Sequence, residues 1–479
     1  MSGEDASASQ PPGGAASGSS TPGPGWTAPE LDVLAAAARR LGAGFEDLPA
    51  WRPSPPGPAS PGALEAVLME TASRLTDNYP YFHPLYAGQM LKPPHPVARL
   101  AYALAMLINP NNHALDGGRA SSFMEREAVA GLAAMIGWPT HLGHLTGGGT
   151  LANLEALWVA GRLGGPEGVV LASADAHYTH GRLCGVLGLP FETVPVDPRG
   201  RLDVAALERR LARGDVATVV ATLGTTGRGA VDPLADLTAL RDRHRFRLHA
   251  DAAYGGYFRL AGGVGAEAAR HLAALAGADS VVVDPHKHGL QPYGCGAVLF
   301  RDPSVAAFYR HDSPYTYFTD ADLHLGEISL ECSRAGAAAV ALWATQRLLP
   351  LERGGDFAAG LDRCVAAARA LHGRLAADGR FLTLDAPELD IVVWAPAEDA
   401  AEAISAASRR CFEAAAERGV HLALTRLRAE TVRRVWPQVD VGAAEEVTCL
   451  RACLMKPEHL DWLDELWAGV VAGVAGRAS

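Results

Sequence analysis

Lysine is rare in this chain, and one of its lysines directly follows a long apolar run. Lysine and arginine together number 42, and only Lys92, Lys287 and Lys456 among them are lysines. A lysine can lose its proton and form an imine, whereas the arginine guanidinium stays charged. Lys92 and Lys456 lie beside prolines in stretches typical of polar turns, but Lys287 follows SVVVDPH. Lys287 is therefore the candidate for imine chemistry.

Chemically capable side chains follow four apolar runs that are typical of buried parallel strands. The runs are GVVLAS (168–173), VATVVATL (216–223), FRLHA (246–250) and DSVVVD (279–284). The residues after them are, in order, His177; Thr225 and Thr226; Asp251; and His286 with Lys287. In open α/β sheets, ligands bind beyond the carboxyl ends of the strands. The pattern predicts an α/β fold with a mainly parallel sheet and an enzyme site at that edge.

A glycine-rich turn, GGGT at 147–150, leads into the amphipathic helix predicted for LANLEALWVAGRLG. The free N–H groups and the dipole of a helix N-terminus favour a phosphate, and glycines allow close backbone approach. An ordinary glycine turn before a helix is the alternative interpretation. The chain has no GxxxxGK[ST] motif, so a P-loop is not predicted. A lysine, a carboxylate and a phosphate cup together are what pyridoxal phosphate needs from a protein.

These segments resemble the group II amino-acid decarboxylases, which are fold-type I pyridoxal-phosphate enzymes acting on glutamate, aromatic amino acids, tyrosine or diaminobutyrate. The resemblance covers roughly residues 78–350 and is most specific in LHADAAYGG and DPHK. It is also carried by TGGGTLANLEAL, SADAHYTHGR, ATLGTTGRGAVD and ECSRAGAAAVALW. It implies a mainly parallel sheet flanked by helices, an N-terminal helical segment and a smaller C-terminal α+β domain.

The resemblance also implies a role for each matching residue around pyridoxal 5'-phosphate. Lys287 would form the Schiff base, Asp251 would keep the pyridine nitrogen protonated, and Ala253 and His177 would lie on opposite faces of the ring. His177 could also relay protons. The phosphate would be held by Gly148, Gly149 and Thr150, with His286 helping there or orienting the imine. A hydroxyl near Asp251 would come from Thr226, although the adjacent Thr225 is an open alternative.

The segment 309–327 is polar, lacks helical periodicity and contains Tyr309, Tyr315 and Tyr317. In the family, a mobile loop here closes over the site and presents a tyrosine that protonates the substrate carbon. Tyr315 is the first candidate for this catalytic group and Tyr317 the second. A surface loop with incidental tyrosines is the alternative, and it leaves His177 or Lys287 as the proton donor.

The sequence departs from the family pattern in two places. His288 follows the lysine where many members carry tryptophan, which predicts a more polar pocket wall. No signature in the C-terminal part identifies an arginine for the substrate carboxylate; Arg426, Arg428, Arg433, Arg434 and Arg451 are equal candidates. Arg334 matches a family Ser-Arg motif, but an arginine at a helix start is often structural.

The predicted activity is decarboxylation of an L-amino acid to the amine and CO₂, with the substrate unidentified. Another carbon–carbon lyase or an aldehyde-forming oxidative deaminase on the same fold is the first alternative, because fold does not fix function. A cofactor-free binding protein is the second alternative. Intact Lys287, Asp251 and His177 argue against it.

Charge and composition narrow the other possibilities. The net charge of −11 argues against a nucleic-acid partner, and no apolar run approaches the ~20 residues that span a bilayer. The start, MSGEDASASQPPGG, has no secretory pattern, and the seven scattered cysteines suit a reducing cytoplasm. No metal site is expected.

The sequence divides into four predicted parts. Residues 1–28 read as a disordered tail, 29–110 as an N-terminal helical segment, 111–352 as the large cofactor domain and 353–479 as the small domain. The family resemblance implies a homodimer with sites at the interface, the helical 31–108 region wrapping the partner.

Overall fold

The central sheet of the protein forms where the four predicted apolar runs pair side by side. The structure is a computed structural model that describes residues 25–49, 61–309 and 329–474. Its larger sheet has seven strands in the order β1-β7-β6-β5-β4-β2-β3. The strands are β1 (Leu142–Thr146), β2 (Val169–Ser173), β3 (Phe191–Val194), β4 (Val216–Thr222), β5 (Arg247–Asp251), β6 (Ser280–Val283) and β7 (Gly296–Phe300).

The five strands β2 to β6 run parallel, whereas β7 lies antiparallel to both β6 and β1. Every residue of β2, β6 and β7 is buried, which explains their continuous apolar sequences. The parallel pairs align Thr222 with Asp251 and Asp251 with Val282, so the ends of β4, β5 and β6 lie at one edge. This edge carries the predicted site.

Helices cover the sheet and connect its parallel strands. They are α1 (Ala28–Ala43), α2 (Pro61–Leu75), α3 (Pro96–Met106), α4 (Leu115–Ile136), α5 (Gly149–Gly164), α6 (Thr179–Leu187), α7 (Val204–Leu211), α8 (Leu234–His244), α9 (Ala266–Ala273), α10 (Ala306–Tyr309) and α11 (Gly336–Leu348). The fully buried α5 residues Ala152, Ala156 and Val159 pack with Val282, Val298 and Phe300 of the sheet. This contact fixes the start of α5 beside the ends of the strands.

A second, antiparallel sheet lies in the C-terminal part of the chain, in the order β10-β11-β9-β8. Its strands are β8 (Phe381–Thr383), β9 (Ile391–Pro396), β10 (Ala423–Arg428) and β11 (Glu446–Cys453). The helices here are α12 (Asp356–Ala377), α13 (Ala401–Glu417), α14 (Ala429–Val435) and α15 (Leu463–Ala472). Buried Trp394, Leu450 and Leu371 belong to the core between this sheet and α12.

The N-terminal helices differ from the rest because almost none of their surface is buried. No residue of α1 is buried, and residues 62–75 of α2 are all exposed. The contact of α1 with the body includes an ion pair between Glu30 and Arg99 of α3, whose side-chain atoms are 3.0 Å apart.

The predicted fold class is confirmed: the fold is α/β with a mainly parallel sheet, flanking helices and a smaller α+β part. Strands β1, β3 and β7 were not predicted. Among the described residues, no helix has the length and apolar character needed to cross a membrane.

Candidate active site

A cavity of about 460 Å³ lies at the carboxyl edge of the parallel strands. All nine residues predicted to bind a cofactor line it: Gly148, Gly149, Thr150, His177, Thr226, Asp251, Ala253, His286 and Lys287. They come from five separate chain segments, which the sheet and the start of α5 bring together. The cavity also reaches Asn153, Thr222, Tyr254 and Asp284, which sequence reasoning did not select.

Asp251 is the last residue of β5, and its carboxylate is held by two donors. His180 Nε2 lies 2.9 Å from Oδ2, and the backbone N–H of Ala253 donates to Oδ1 over 3.2 Å. Burial alone would raise the pKa of Asp251, but the hydrogen bond from His180 and the charges of His180 and Lys287 outweigh it. The net result is a pKa well below the usual range. Asp251 is thus an ionised carboxylate facing the cavity.

Lys287 follows β6 and faces Asp284 across one turn of chain. Its Nζ lies 3.0 Å from Oδ2 of Asp284, while Oδ1 of that carboxylate has no hydrogen-bond partner among the described residues. Asp284 is 2 % exposed. Because β5 and β6 are adjacent, the Lys287 amine and the Asp251 carboxylate reach the same cavity from neighbouring strands.

The glycine-rich turn forms the start of α5 without a side-chain cap. Gly148 occupies the N-cap position with φ of +153°, a conformation that favours glycine. A Cβ at Gly149 would lie only 2.6 Å from Oδ2 of Asp284, so the backbone approaches that carboxylate closely. The first N–H groups of a helix have no partner inside the helix, and the first three residues of α5, Gly149, Thr150 and Leu151, line the cavity. The start of α5 is therefore suited to binding an anion.

Two histidines border the cavity with one ring nitrogen each fixed by the backbone. His177 Nδ1 accepts from the N–H of Thr179 over 3.2 Å, and His286 Nδ1 accepts from the N–H of Cys295 over 3.3 Å. Burial lowers the pKa of both imidazoles. The His286 ring is also stacked on Tyr293 at 4.6 Å between centroids. Both rings are therefore held neutral with the hydrogen on Nε2, which in His286 lies 3.6 Å from Oδ2 of Asp284.

The two threonine candidates have separate surroundings. Thr226 lines the cavity, whereas Thr225 is fully buried and its hydroxyl accepts from the N–H of Ala230. Thr222 of β4 lies directly beside Asp251 of β5, because the two residues are partners in the pairing of these strands. Its hydroxyl is buried and has no hydrogen-bond partner in the described part of the chain.

His288 does not form part of this cavity, so the expected polar pocket wall is wrong. His288 is 1 % exposed, and its ring packs against Tyr254 and Phe258. Its Nε2 lies 3.2 Å from the buried carboxylate of Asp390.

The five candidate arginines of the C-terminal part do not border the described cavity either. Arg451 contacts a residue that lines the cavity, since its guanidinium donates to the carbonyl oxygen of Thr226 over 2.8 Å. Arg334 has a structural role: its guanidinium lies 2.7 Å from the Glu125 carboxylate and donates to the carbonyl of Leu145. Tyr315 and Tyr317 lie outside the described residues.

Sequence reasoning missed His180, Thr222 and Asp284. His180 comes three residues after His177, a spacing that places both on one side of a helical turn. Asp284 comes three residues before Lys287, and Thr222 ends the strand next to that of Asp251. The position of each of these residues in the sequence therefore indicated a place near the site. The sequence did not indicate which group each side chain would contact.

The residues present fit pyridoxal phosphate. The uncapped start of α5 suits a phosphate, the Asp251 carboxylate suits a protonated ring nitrogen, and the Lys287 amine suits an aldehyde. The unpaired Oδ1 of Asp284 and hydroxyl of Thr222 add two polar groups inside the cavity that have no protein partner among the described residues.

Comparison with known proteins agrees with this fit. The family model described as "Pyridoxal-dependent decarboxylase conserved domain" matches residues 166–395. A probable L-tyrosine/L-aspartate decarboxylase of Methanothermobacter thermautotrophicus is 31% identical over 262 residues, which are 54% of this chain and 70% of that protein. The L-2,4-diaminobutyrate decarboxylase of Rhizobium meliloti is 35% identical over 51% of this chain. The chain spans 52% of that relative and 63% of the L-tyrosine decarboxylase of Enterococcus faecium.

Solved structures share the fold over nearly the whole chain. Oryza sativa TDC with PLP and tryptamine has a TM-score of 0.73 and 19% identity, and the match covers 93% of this chain and 98% of that one. Mouse CSAD has a TM-score of 0.74 and 21% identity over 92% of this chain and 98% of that one. Because the relative from Methanothermobacter thermautotrophicus is 31% identical and 70% of its length is matched, the chain belongs to the group II family of pyridoxal-phosphate-dependent decarboxylases, enzymes that remove CO₂ from amino acids.

Proposed function

We propose that Lys287 and Asp251 are the central residues of an L-amino-acid decarboxylase, with Lys287 holding the cofactor aldehyde and Asp251 facing the ring nitrogen. The observation that carries this assignment is their placement at the ends of neighbouring strands, facing one cavity. The start of α5, with Gly148, Gly149 and Thr150, is assigned to the phosphate.

Pyridoxal phosphate, when bound, supplies an electron sink for the electron pair that remains on the substrate carbon when CO₂ leaves. Asp251 strengthens this sink because an ionised buried carboxylate holds a proton on its partner nitrogen. Ala253 offers only a methyl group to the cavity, which leaves room for a flat ring. His177, a neutral imidazole whose Nδ1 accepts from the N–H of Thr179, carries its hydrogen on Nε2 and can donate it there.

The lysine assignment is tested by replacing Lys287 and by locating the bound cofactor. Lys287→Ala and Lys287→Arg should both lose turnover and the near-visible absorbance of the bound cofactor, because a guanidinium forms no imine. Borohydride reduction of the wild type followed by peptide mapping should place the pyridoxyl group on Lys287. A label on Lys92 or Lys456 would contradict the assignment.

The substrate is tested by screening the holoenzyme against all L-amino acids. CO₂ release and amine formation should appear together in equal amounts for the true substrate. An aldehyde with ammonia in place of the amine would instead indicate oxidative deamination.

We further propose that the enzyme is a homodimer. The support is an apolar surface on α2, where Leu64, Val67, Leu68 and Met69 are each more than half exposed. An isolated helix of 15 residues is marginal in water, so α2 needs a partner for its apolar side. A second copy of this chain is the occupant we propose, as the sequence resemblance implied.

We also propose a cytoplasmic location. The seven cysteines all lie in the described parts of the chain, and all are free thiols. Six of them are buried, where they serve as small core residues. Unpaired cysteines are typical of a reducing compartment.

A further inference from the structure

A second cavity, of about 320 Å³, is bordered by Lys92 and Lys456. The sequence predicts that both of these lysines lie in polar turns. That expectation is wrong for Lys456, which is 3 % exposed. Lys92 is half-buried and also borders the cavity. In a chain that otherwise uses arginine, all three of its lysines therefore border a cavity.

Among the described residues, no carboxylate pairs with either of these two lysine amines. Nζ of Lys456 donates to the carbonyl oxygen of Tyr86 over 2.6 Å, and Nζ of Lys92 donates to that of Met455 over 3.3 Å. Within the described ranges, neither amine lies within 4.0 Å of an acidic side chain, whereas Lys287 has Asp284. An ammonium group has three donors, so each of these amines has donors left over. Buried charges are ordinarily paired.

The pKa shifts of Lys92 and Lys456 indicate how an anion bound near them would act. Burial and repulsion from Lys92 lower the pKa of Lys456 to about 7, and burial lowers the pKa of Lys92 as well. A single negative charge near both amines would remove the repulsion and favour their protonated forms. Glu458 borders the same cavity and its negative charge acts on both lysines, so a monoanion matches the remaining positive charge better than a phosphate dianion does.

The rest of the cavity is largely apolar. Phe357, Leu361, Leu349 and Leu290 border it together with four prolines. The exposed residues Pro93, Asp356 and Glu458 form part of its rim, so it opens to solvent. Its volume falls at the lower end of the range typical of small-molecule sites.

We propose that this cavity binds a small organic monocarboxylate with an apolar body, the carboxylate lying between Lys92 and Lys456. The apolar body would contact Phe357 and Leu361. The site is separate from that of the substrate: the imidazole of His288 and the carboxyl group of Asp390 stand between the two cavities, and Tyr254, which donates to Asp390 over 2.7 Å, borders the active site.

The test is calorimetric titration of the holoenzyme with hexanoate and with its uncharged analogue hexanamide. Hexanoate should bind saturably with a Kd of about 1 mM or below, and hexanamide at least tenfold more weakly. Lys92→Met and Lys456→Met should each weaken hexanoate binding by about ten- to a hundredfold, the range expected for a charge-assisted hydrogen bond. Arg374→Met is the matched control, because Arg374 is a cation on α12 that pairs with Asp464 outside this cavity. It should leave the affinity unchanged.

Three results would overturn the proposal. They are the absence of saturable hexanoate binding up to about 10 mM, equal affinity for the acid and the amide, and unchanged affinity in both lysine variants. If either lysine variant fails to fold, judged by its cofactor absorbance and circular dichroism, a crystal structure of the wild-type holoenzyme with hexanoate decides. The carboxylate should then lie within hydrogen-bond distance of Lys92 and Lys456, and density for the acid only at another place would refute the site.

Discussion

Asp251 is the residue whose surroundings say most about the chemistry of this protein. A carboxylate with no donors at this depth would hold its proton, because burial disfavours the charged form. The hydrogen bond from His180 and the charges of His180 and Lys287 reverse that preference and lower the pKa of Asp251. An ionised Asp251 can accept but not donate, so His180 Nε2 must carry the hydrogen between them.

Replacing Asp251 by asparagine keeps the shape of the side chain and removes its charge. We expect Asp251→Asn to lower kcat by about a thousandfold or more, equivalent to roughly 4 kcal/mol at 1.36 kcal/mol per factor of ten. Cofactor absorbance at different pH values should show a ring nitrogen that loses its proton more easily. A variant with a near-normal rate would contradict the role proposed for Asp251.

His180 is predicted to act through Asp251 and not on the substrate. His180→Leu removes one donor, so the pKa of Asp251 should rise and the acid limb of the kcat profile should move to higher pH. A charge-assisted hydrogen bond of about 1.5–3 kcal/mol corresponds to roughly one to two pH units. His180→Gln, which can still donate, should restore most of the wild-type profile. If His180→Leu and His180→Gln changed the pH profile of kcat equally, His180 would act on Asp251 through packing alone.

The same interaction affects stability against acid. The pKa of Asp251 is lower in the folded state than in the unfolded state, so its contribution to stability is present above the unfolded value. That contribution is lost as the pH falls toward the folded value. In His180→Leu the folded-state pKa of Asp251 should lie closer to the unfolded value, so this contribution is smaller and the protein should unfold at a higher pH, which acid titration followed by circular dichroism would detect.

Sequence reasoning located Lys287, Asp251 and His177 because strand ends fix their position without any knowledge of side-chain contacts. It did not find His180, because the contact with Asp251 depends on how α6 lies across the end of β5. It misread Lys456 because a proline beside a lysine is typical of an exposed turn. Here the chain folds against Tyr86 of a distant segment, 370 residues away in sequence.

At the scale of elements, the start of α5 is the part of the site most sensitive to a single methyl group. Gly149→Ala would place a Cβ 2.6 Å from a carboxylate oxygen of Asp284, so Asp284 or the helix start must move. We expect cofactor affinity to fall at least tenfold, measured by titration of the apoenzyme with pyridoxal phosphate. Gly373→Ala in α12 is the control, since no heavy atom lies within 4 Å of its added methyl. It should bind the cofactor like the wild type.

The strands illustrate how far local pattern predicts this fold. β2, β4, β5 and β6 were predicted from continuous apolar runs bounded by polar residues, and all four are confirmed. β1 and β7 were not, because LGHLT and GAVLF are short and lie beside glycine-rich turns. Their strand conformation depends on pairing with each other over residues 142–146 and 296–300. Such non-local pairing leaves little signal in either segment alone.

At the scale of the whole molecule, the N-terminal helices α1 and α2 are the part whose apolar side chains a single chain leaves exposed. Burying a leucine side chain contributes about 1.5–3 kcal/mol, and α2 holds several apolar side chains that the monomer leaves in water. Homodimer interfaces are typically large and apolar, which fits such a surface. The central sheet and its cavity, in contrast, are assembled within one chain.

A charge on the exposed side of α2 should separate the two copies. Leu68 is 53 % exposed and lies among Leu64, Val67 and Met69, so Leu68→Glu would bury a carboxylate in the proposed interface. Loss of about 2–5 kcal/mol would raise the dissociation constant of the dimer by about thirtyfold to several thousandfold. Sedimentation at micromolar concentration should then show monomers for Leu68→Glu and dimers for the wild type. Val186→Glu, at a valine that is 77 % exposed on α6, should sediment as the wild type does. A wild type that sediments as an active monomer would refute the dimer, because α2 would then tolerate its exposed apolar surface without a second copy.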